Sequence, residues 1–281
     1  MPFEIEHHFP DYDLYNEFCV GKKHSEIKEY TDCSIGFMTR GCFRKCPFCV
    51  NQKYDRVFCH SPLEEFYDPK RKKICLLDDN FFGYPKWKSL LQELINTKKP
   101  FKFKQGLDER LLTEDKCEML FSAKYDGDIY FAFDNIADYD LIKKKLKLLE
   151  KYDTKKRCTF YVLVGFDRSG RYDDSFWYQD ICDTFKRIEL LMQYGCYPYI
   201  MRFNKYEESP YRGIYITLAR WCNQKSIFKK KSLFEYADPS KTKCQGKAPM
   251  RYIEDLLRKN PEFDTHYLTM KYLYRGEDGE N

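Results

Sequence analysis

From about residue 33 to 204, short apolar runs alternate with stretches whose apolar residues recur every three or four positions. This alternation limits the fold more than any other feature. Strands separated by helices pair in parallel, because only a crossover connection returns the chain to the same end of the sheet. The expected strands are 33–39, 73–78, 101–105, 128–134, 158–165 and 197–203. Phe131-Ala132-Phe133 and Phe160-Tyr161-Val162-Leu163-Val164 are continuously apolar, as in strands covered on both faces. Between them run helical stripes: Trp87, Leu90/Leu91 and Leu94/Ile95; Ile142, Leu146 and Leu149; Ile181, Phe185, Ile188 and Met192. Lys143, Lys144, Lys147 and Lys151 fall opposite the second stripe and read as a solvated face. Thr113 before Glu114 and Asp115 marks a helix start, with the acids at the positive end of the dipole. The fold class is α/β.

Three stretches follow. Residues 1–30 form an amino-terminal extension and 31–205 the core. Residues 206–281 form a carboxy-terminal segment with helices expected at 213–222 and 251–259 and a frayed tail at 275–281. A chain of 281 residues can bury one large core, or one core with a small appendage. A hydrophobic fraction of 43% excludes a disordered chain. No apolar run reaches the length needed to span a bilayer, and Met1-Pro2-Phe3-Glu4-Ile5-Glu6 lacks the basic-then-apolar order of a secretory signal. Thirteen cysteines, an odd number and mostly scattered, then suit free thiols in a reducing cytoplasm.

The net charge of +5 is unevenly placed. Between positions 222 and 251, eight Lys/Arg face only Glu235 and Asp238, so that stretch is +6 and the rest of the chain −1. It reads equally as a phosphate-contacting surface and as a solvated loop. Phe228, Phe234, Tyr236 and Tyr252 are interleaved with the lysines, where rings can stack on bases.

Immediately after the first strand comes Thr39-Arg40-Gly41-Cys42-Phe43-Arg44-Lys45-Cys46-Pro47-Phe48-Cys49. Three thiolates in a C-x3-C-x2-C loop can hold three corners of an iron–sulfur cube. A [4Fe–4S] cluster usually takes four cysteines, so one iron would keep an open position, the mark of a metal that does chemistry. Arg44 and Lys45 are expected to favour the thiolates and offset the cluster's negative charge. The competing metal is zinc, with Cys59 or His60 as fourth ligand.

The loop resembles the cluster motif of the radical S-adenosylmethionine (SAM) superfamily, including the aromatic Phe48 before the last cysteine. The resemblance covers about residues 31–205 and implies a partial (β/α)6 TIM-like barrel. It further implies that SAM chelates the open iron, and that the reduced cluster cleaves it to a 5′-deoxyadenosyl radical that abstracts hydrogen from a substrate. In such barrels the site gathers at the carboxyl ends of the strands. The second strand ends in Asp78-Asp79-Asn80, where the family commonly has a Gly-Gly-Glu-like motif for the SAM amino group. That motif is absent, and the variant is similar to the branch of methylthiotransferase-like and cobalamin-associated proteins, without their extra domains. By the same resemblance Gln105 would meet the SAM ribose or carboxylate and Arg110 the carboxylate, although both read equally as ordinary loop anchors; Asp134 would meet the ribose hydroxyls and Gly165 the adenine. Arg202 or Asn204 would reach SAM or substrate.

The remaining cysteines are not grouped for a second cluster, and Cys75, Cys117, Cys158, Cys182 and Cys196 read as small buried hydrophobes. The chain is expected to be a radical SAM enzyme of unidentified substrate: RNA such as tRNA, a peptide or a small molecule. An electron donor such as flavodoxin or ferredoxin would be its partner. The alternative is a non-catalytic, zinc-stabilised nucleic-acid-binding protein.

Overall fold

Asp78 explains the first departure from the expected strands. The run expected over 33–39 pairs as strand β1 (Cys33–Gly36), breaks, and resumes as β2 (Thr39–Arg40). It breaks because the Met38 and Thr39 amides donate to the Asp78 carboxylate instead of to a neighbouring strand. In this computed structural model, residues 3–152, 158–242 and 246–272 are described. The chain divides into two compact units, Met1–Tyr130 with Lys151–Lys156, and Phe131–Glu150 with Arg157–Asn281.

In the first unit β2 pairs antiparallel with β3 (Phe58–Cys59). β1 pairs in parallel with β4 (Lys73–Leu76), and β4 with β5 (Phe101–Phe103). Ile74, Leu76 and Phe101 are fully buried, as the parallel arrangement requires. β5 stops two residues short of its expected end, where Lys104 and Gln105 turn into Gly106 with φ +88°. Helix α1 (His24–Thr31) lies within the stretch read only as an extension. Upstream of it, the Tyr12 hydroxyl accepts from the Ile35 amide at 2.8 Å and donates to the Phe66 carbonyl at 2.6 Å. Helix α2 (Trp87–Asn96) buries Leu91 and Leu94. Helix α3 (Glu114–Ser122) begins where Thr113-Glu114-Asp115 predicts.

The sheet β6-β7-β8 is formed by Ile129–Ala132, Cys158–Val164 and Tyr197–Arg202; β7, β8 and the last two residues of β6 belong to the second unit. β7 and β8 are parallel in the register Thr159↔Tyr197 to Val164↔Arg202. Helix α4 (Tyr139–Glu150) buries Ile142, Leu146 and Leu149 as its stripe predicts. Helix α5 (Asp174–Gln193) buries Ile181, Phe185, Ile188 and Met192, and is capped by Asp173, which accepts from the Phe176 amide at 2.8 Å. α6 (Arg212–Cys222) and α7 (Ala248–Lys259) correspond to the two expected carboxy-terminal helices. The protein is thus a mixed α/β molecule with parallel sheets. Among the described residues the strands form no closed barrel, and no helix is long and apolar enough to cross a membrane.

The basic segment differs from its expected form. Phe228 and Tyr236 are fully buried, so they pack the second unit and cannot stack on bases; Phe234 and Tyr252 are exposed. Lys231 donates to the Lys241 carbonyl and to Thr242 Oγ1. Lys225 donates to Thr159 Oγ1 at 3.0 Å, and burial, followed by the charge of Lys229, pushes its ammonium down to about 8. Lys243, Cys244 and the tail 275–281 lie outside the described residues. Cys75, Cys117, Cys158 and Cys196 are buried as expected, whereas Cys182 is half-buried. Cys222 is also buried, and burial raises its thiol well above the usual range.

Candidate metal centre

The cysteine loop is an irregular excursion tied at its base by the β2–β3 ribbon, with Thr39 opposite Cys59 and Arg40 opposite Phe58. Its entry needs glycine: Gly41 has φ +87°, and a Cβ there would overlap the Arg56 carbonyl oxygen. Cys42, Cys46 and Cys49 follow, each partly exposed. A turn from the Cys49 amide to the Cys46 carbonyl, 2.9 Å, closes the C-x2-C step.

The residues after β4 turn towards this loop. Asp78 is 1% exposed and accepts from Thr39 N and Thr39 Oγ1, both at 2.6 Å, and from Met38 N at 3.3 Å. Burial pushes its carboxyl up to about 6 against those bonds. Asp79 clasps the loop at both ends, accepting from the Gly41 amide at 2.9 Å and from Asn51 Nδ2 at 2.6 Å. Both carboxylates therefore engage the loop, although neighbours in an extended strand point to opposite faces. β4 has already ended at Leu76, which frees them from that alternation. Asn80, 3% exposed, donates from Nδ2 to Cys42 Sγ at 3.3 Å. Its Oδ1 is buried without a hydrogen-bond partner.

Asp108 supports this group from the far side. It accepts from Asn80 Nδ2 at 3.4 Å, from Arg44 Nε at 2.9 Å and from Arg110 Nε at 2.7 Å. Burial works to raise its carboxyl, but Arg110 and then Arg44 hold it below the usual range. Two of the loop sulfurs also receive backbone amides: Arg44 N to Cys42 Sγ and Asn51 N to Cys49 Sγ, both 3.4 Å.

Arg44 and Lys45 do not serve as the free counter-charges expected of them. Arg44 is paired with Asp108, and Lys45 with Asp55 at 2.5 Å and with the Gln52 and Tyr54 carbonyls at 2.7 Å. They brace the loop. His60 is equally committed: Nε2 lies 3.0 Å from Glu6, Nδ1 lies 2.8 Å from Ser61 Oγ, and the ring stacks on His7 at 4.7 Å. Among the described residues no three His, Cys, Asp or Glu side chains converge into a group able to hold a metal ion. The three thiols share one pinned loop, but their sulfurs are not drawn together.

The other expected contacts are dispersed. Phe48 is half-buried in the turn before Cys49, Gln105 is exposed, and Arg110 is engaged by Asp108 and lies 3.8 Å from Glu109. In the second unit, Asp134 Oδ1 accepts from the Leu163 amide at 3.2 Å. The close approach that Gly165 permits is to Tyr206, 3.0 Å from where a Cβ would stand, and its amide donates to Asp180 at 2.8 Å. Arg202 donates to the Tyr206 hydroxyl at 3.0 Å. Nothing in the sequence pointed to the polar trio beside these residues, the buried Arg187 and Tyr215 with the half-buried Asp180. Arg187 donates to the Phe133, Asp134 and Leu163 carbonyls at 3.0, 3.1 and 2.9 Å, and the Tyr215 hydroxyl donates to Asp180 at 2.7 Å.

No protein-family model matches the chain, and no curated protein matches it significantly.

The donor set nevertheless suits an iron–sulfur cluster. Three thiols stand on one loop, two sulfurs already receive N–H groups, and a buried amide donates to one of them. N–H···S bonds of this type tune iron–sulfur sites.

Proposed function

We propose that the chain is a radical SAM enzyme whose Cys42, Cys46 and Cys49 ligate three irons of a [4Fe–4S] cluster. The observation that carries this reading is the concentration of metal-ligating groups on one loop: three thiols of C-x3-C-x2-C spacing, fastened by Asp78, Asp79 and Asn80. When bound, cluster and SAM supply one-electron cleavage of the sulfonium and hydrogen abstraction from substrate. The protein's own residues supply position. Asp79 fixes the separation of the loop ends, Asn80 directs an N–H at Cys42, and Asp108 fastens Asn80 and Arg44. The finer fold of this reading is the partial (β/α)6 barrel, and its electron donor is a flavodoxin- or ferredoxin-like protein.

The test is anaerobic reconstitution with iron and sulfide, reduction with dithionite, addition of SAM and assay for 5′-deoxyadenosine. The parent chain should load iron and form the nucleoside. Cys42→Ala, Cys46→Ala and Cys49→Ala should each abolish formation, while Cys182→Ala should not. Zinc binding in place of iron, or nucleoside formation that survives loss of any of the three, overturns the proposal.

A further inference from the structure

Beside the cysteine loop, and formed wholly by the first unit, lies an open cleft of about 520 Å³. That volume is within the roughly 300–1,000 Å³ of small-molecule sites. Its walls are aromatic: Phe43 from the loop, Phe58 from β3 and Tyr84 from the segment before α2. Gly83 lets Val57 and Phe43 pack close against the backbone there, since a Cβ would stand 2.8 Å from Val57 Cγ2 and 2.9 Å from Phe43 Cε1. Two charged residues line it, Asp55 and Arg56. Asp55 is neutralised by Lys45 at 2.5 Å. Arg56 is exposed and has no carboxylate partner among the described residues. The cleft therefore offers three aromatic rings, with Arg44 over the Phe43 ring at 5.0 Å, and one guanidinium without a carboxylate partner among the described residues. Rings of this kind stack on planar groups, and a guanidinium takes carboxylate or phosphate through paired N–H bonds.

We propose that this cleft binds a planar aromatic molecule carrying an anionic group, its ring among Phe43, Phe58 and Tyr84 and its anion on Arg56. Such a ligand can be a nucleoside phosphate or an aromatic carboxylate. The chemistry is shared, and the cleft needs no metal at Cys42, so this site stands apart from the radical SAM proposal.

The experiment is calorimetric titration of the full chain, with and without iron loading. The probes are adenosine and uridine 5′-monophosphates, their parent nucleosides, indole-3-acetate and its neutral amide. At least one anion should bind, with its neutral counterpart weaker by about tenfold or more, the usual worth of a charge-assisted bond. The winning pair tells nucleotide from carboxylate. Arg56→Gln, at an exposed position that leaves the fold intact, should reduce the anion to the affinity of its neutral counterpart. Tyr84→Ala should weaken both members of the pair. If no anion binds better than its neutral counterpart, or if Arg56→Gln binds the anion as tightly as the parent chain, the proposal is wrong. Because the apo chain is titrated too, failure to load iron leaves this result readable.

Discussion

Asn80 is a single amide with two duties: Nδ2 faces both Cys42 Sγ and Asp108, while Oδ1 stays buried and unpartnered. An N–H aimed at a cluster-ligating sulfur stabilises the more negative, reduced state and raises the reduction potential. Asn80→Leu keeps the volume and removes that donor. On reconstituted protein its cluster potential, followed by electron paramagnetic resonance during a redox titration, should move to more negative values with iron content retained. An unchanged potential at full iron content would reduce Asn80 to packing. The cysteine loop stands out in the sequence because its spacing is itself the signal, although among the described residues the structure does not gather its thiols into a metal-holding group. Asp78, Asp79 and Asn80 were legible as polar residues at the end of an apolar run. Asp108 was not, because its importance comes from Arg44, 64 positions away, and from Asn80, 28 away. Arg187 was hidden for a related reason. It sits among the buried positions of α5, where an arginine ordinarily extends to solvent, but here it is 2% exposed.

The ends of the elements depend on side chains as much as on pairing. β1 and β2 are split because Asp78 takes the amides of Met38 and Thr39, which makes the carboxyl a joint between β4 and the ribbon that carries the cysteine loop. The sequence showed where apolar runs lie, and all six expected strands form. It did not show the break after Gly36, which is set by the Asp78 carboxylate 39 and 40 positions away from the amides it takes. The joint has a pH signature. Asp78 has a folded pKa of about 6 against 3.8 for the unfolded chain. A carboxyl raised in this way binds its proton more tightly when folded. Its contribution to stability is therefore full below about pH 3.8 and is lost as pH rises through about 6, a change of about 3 kcal/mol. Asp78→Asn cannot titrate. The difference in unfolding free energy between parent and variant, measured in urea, should shift by most of that amount in the variant's favour between pH 4 and pH 7. A difference that stays constant across that range would mean that Asp78 is not titrating in the joint.

At the scale of the whole molecule, each unit has its own buried polar centre. In the first, Asp78, Asp79, Asn80 and Asp108 hold the cysteine loop and its base, Asp108 through the loop's own Arg44, and every partner named for them belongs to that unit. In the second, Arg187 joins the chain just beyond β6 to β7 through three carbonyls. It also donates to Thr184 Oγ1 at 3.0 Å and lies 3.9 Å from Asp180. Desolvation lowers the guanidinium's pKa, with Asp180 the first of the charges that oppose it. Arg187→Met fills similar volume but leaves those carbonyls without their donor and Asp180 without its cation. Breaking a buried pair from one side costs about 3–5 kcal/mol. The partners named for Arg187 all lie in the second unit. Calorimetry of the variant should show unfolding at a lower temperature than the parent, while iron loading at Cys42, Cys46 and Cys49, measured well below that temperature, stays at the parent's level. An unchanged unfolding temperature would mean that the contacts of Arg187 contribute little to stability.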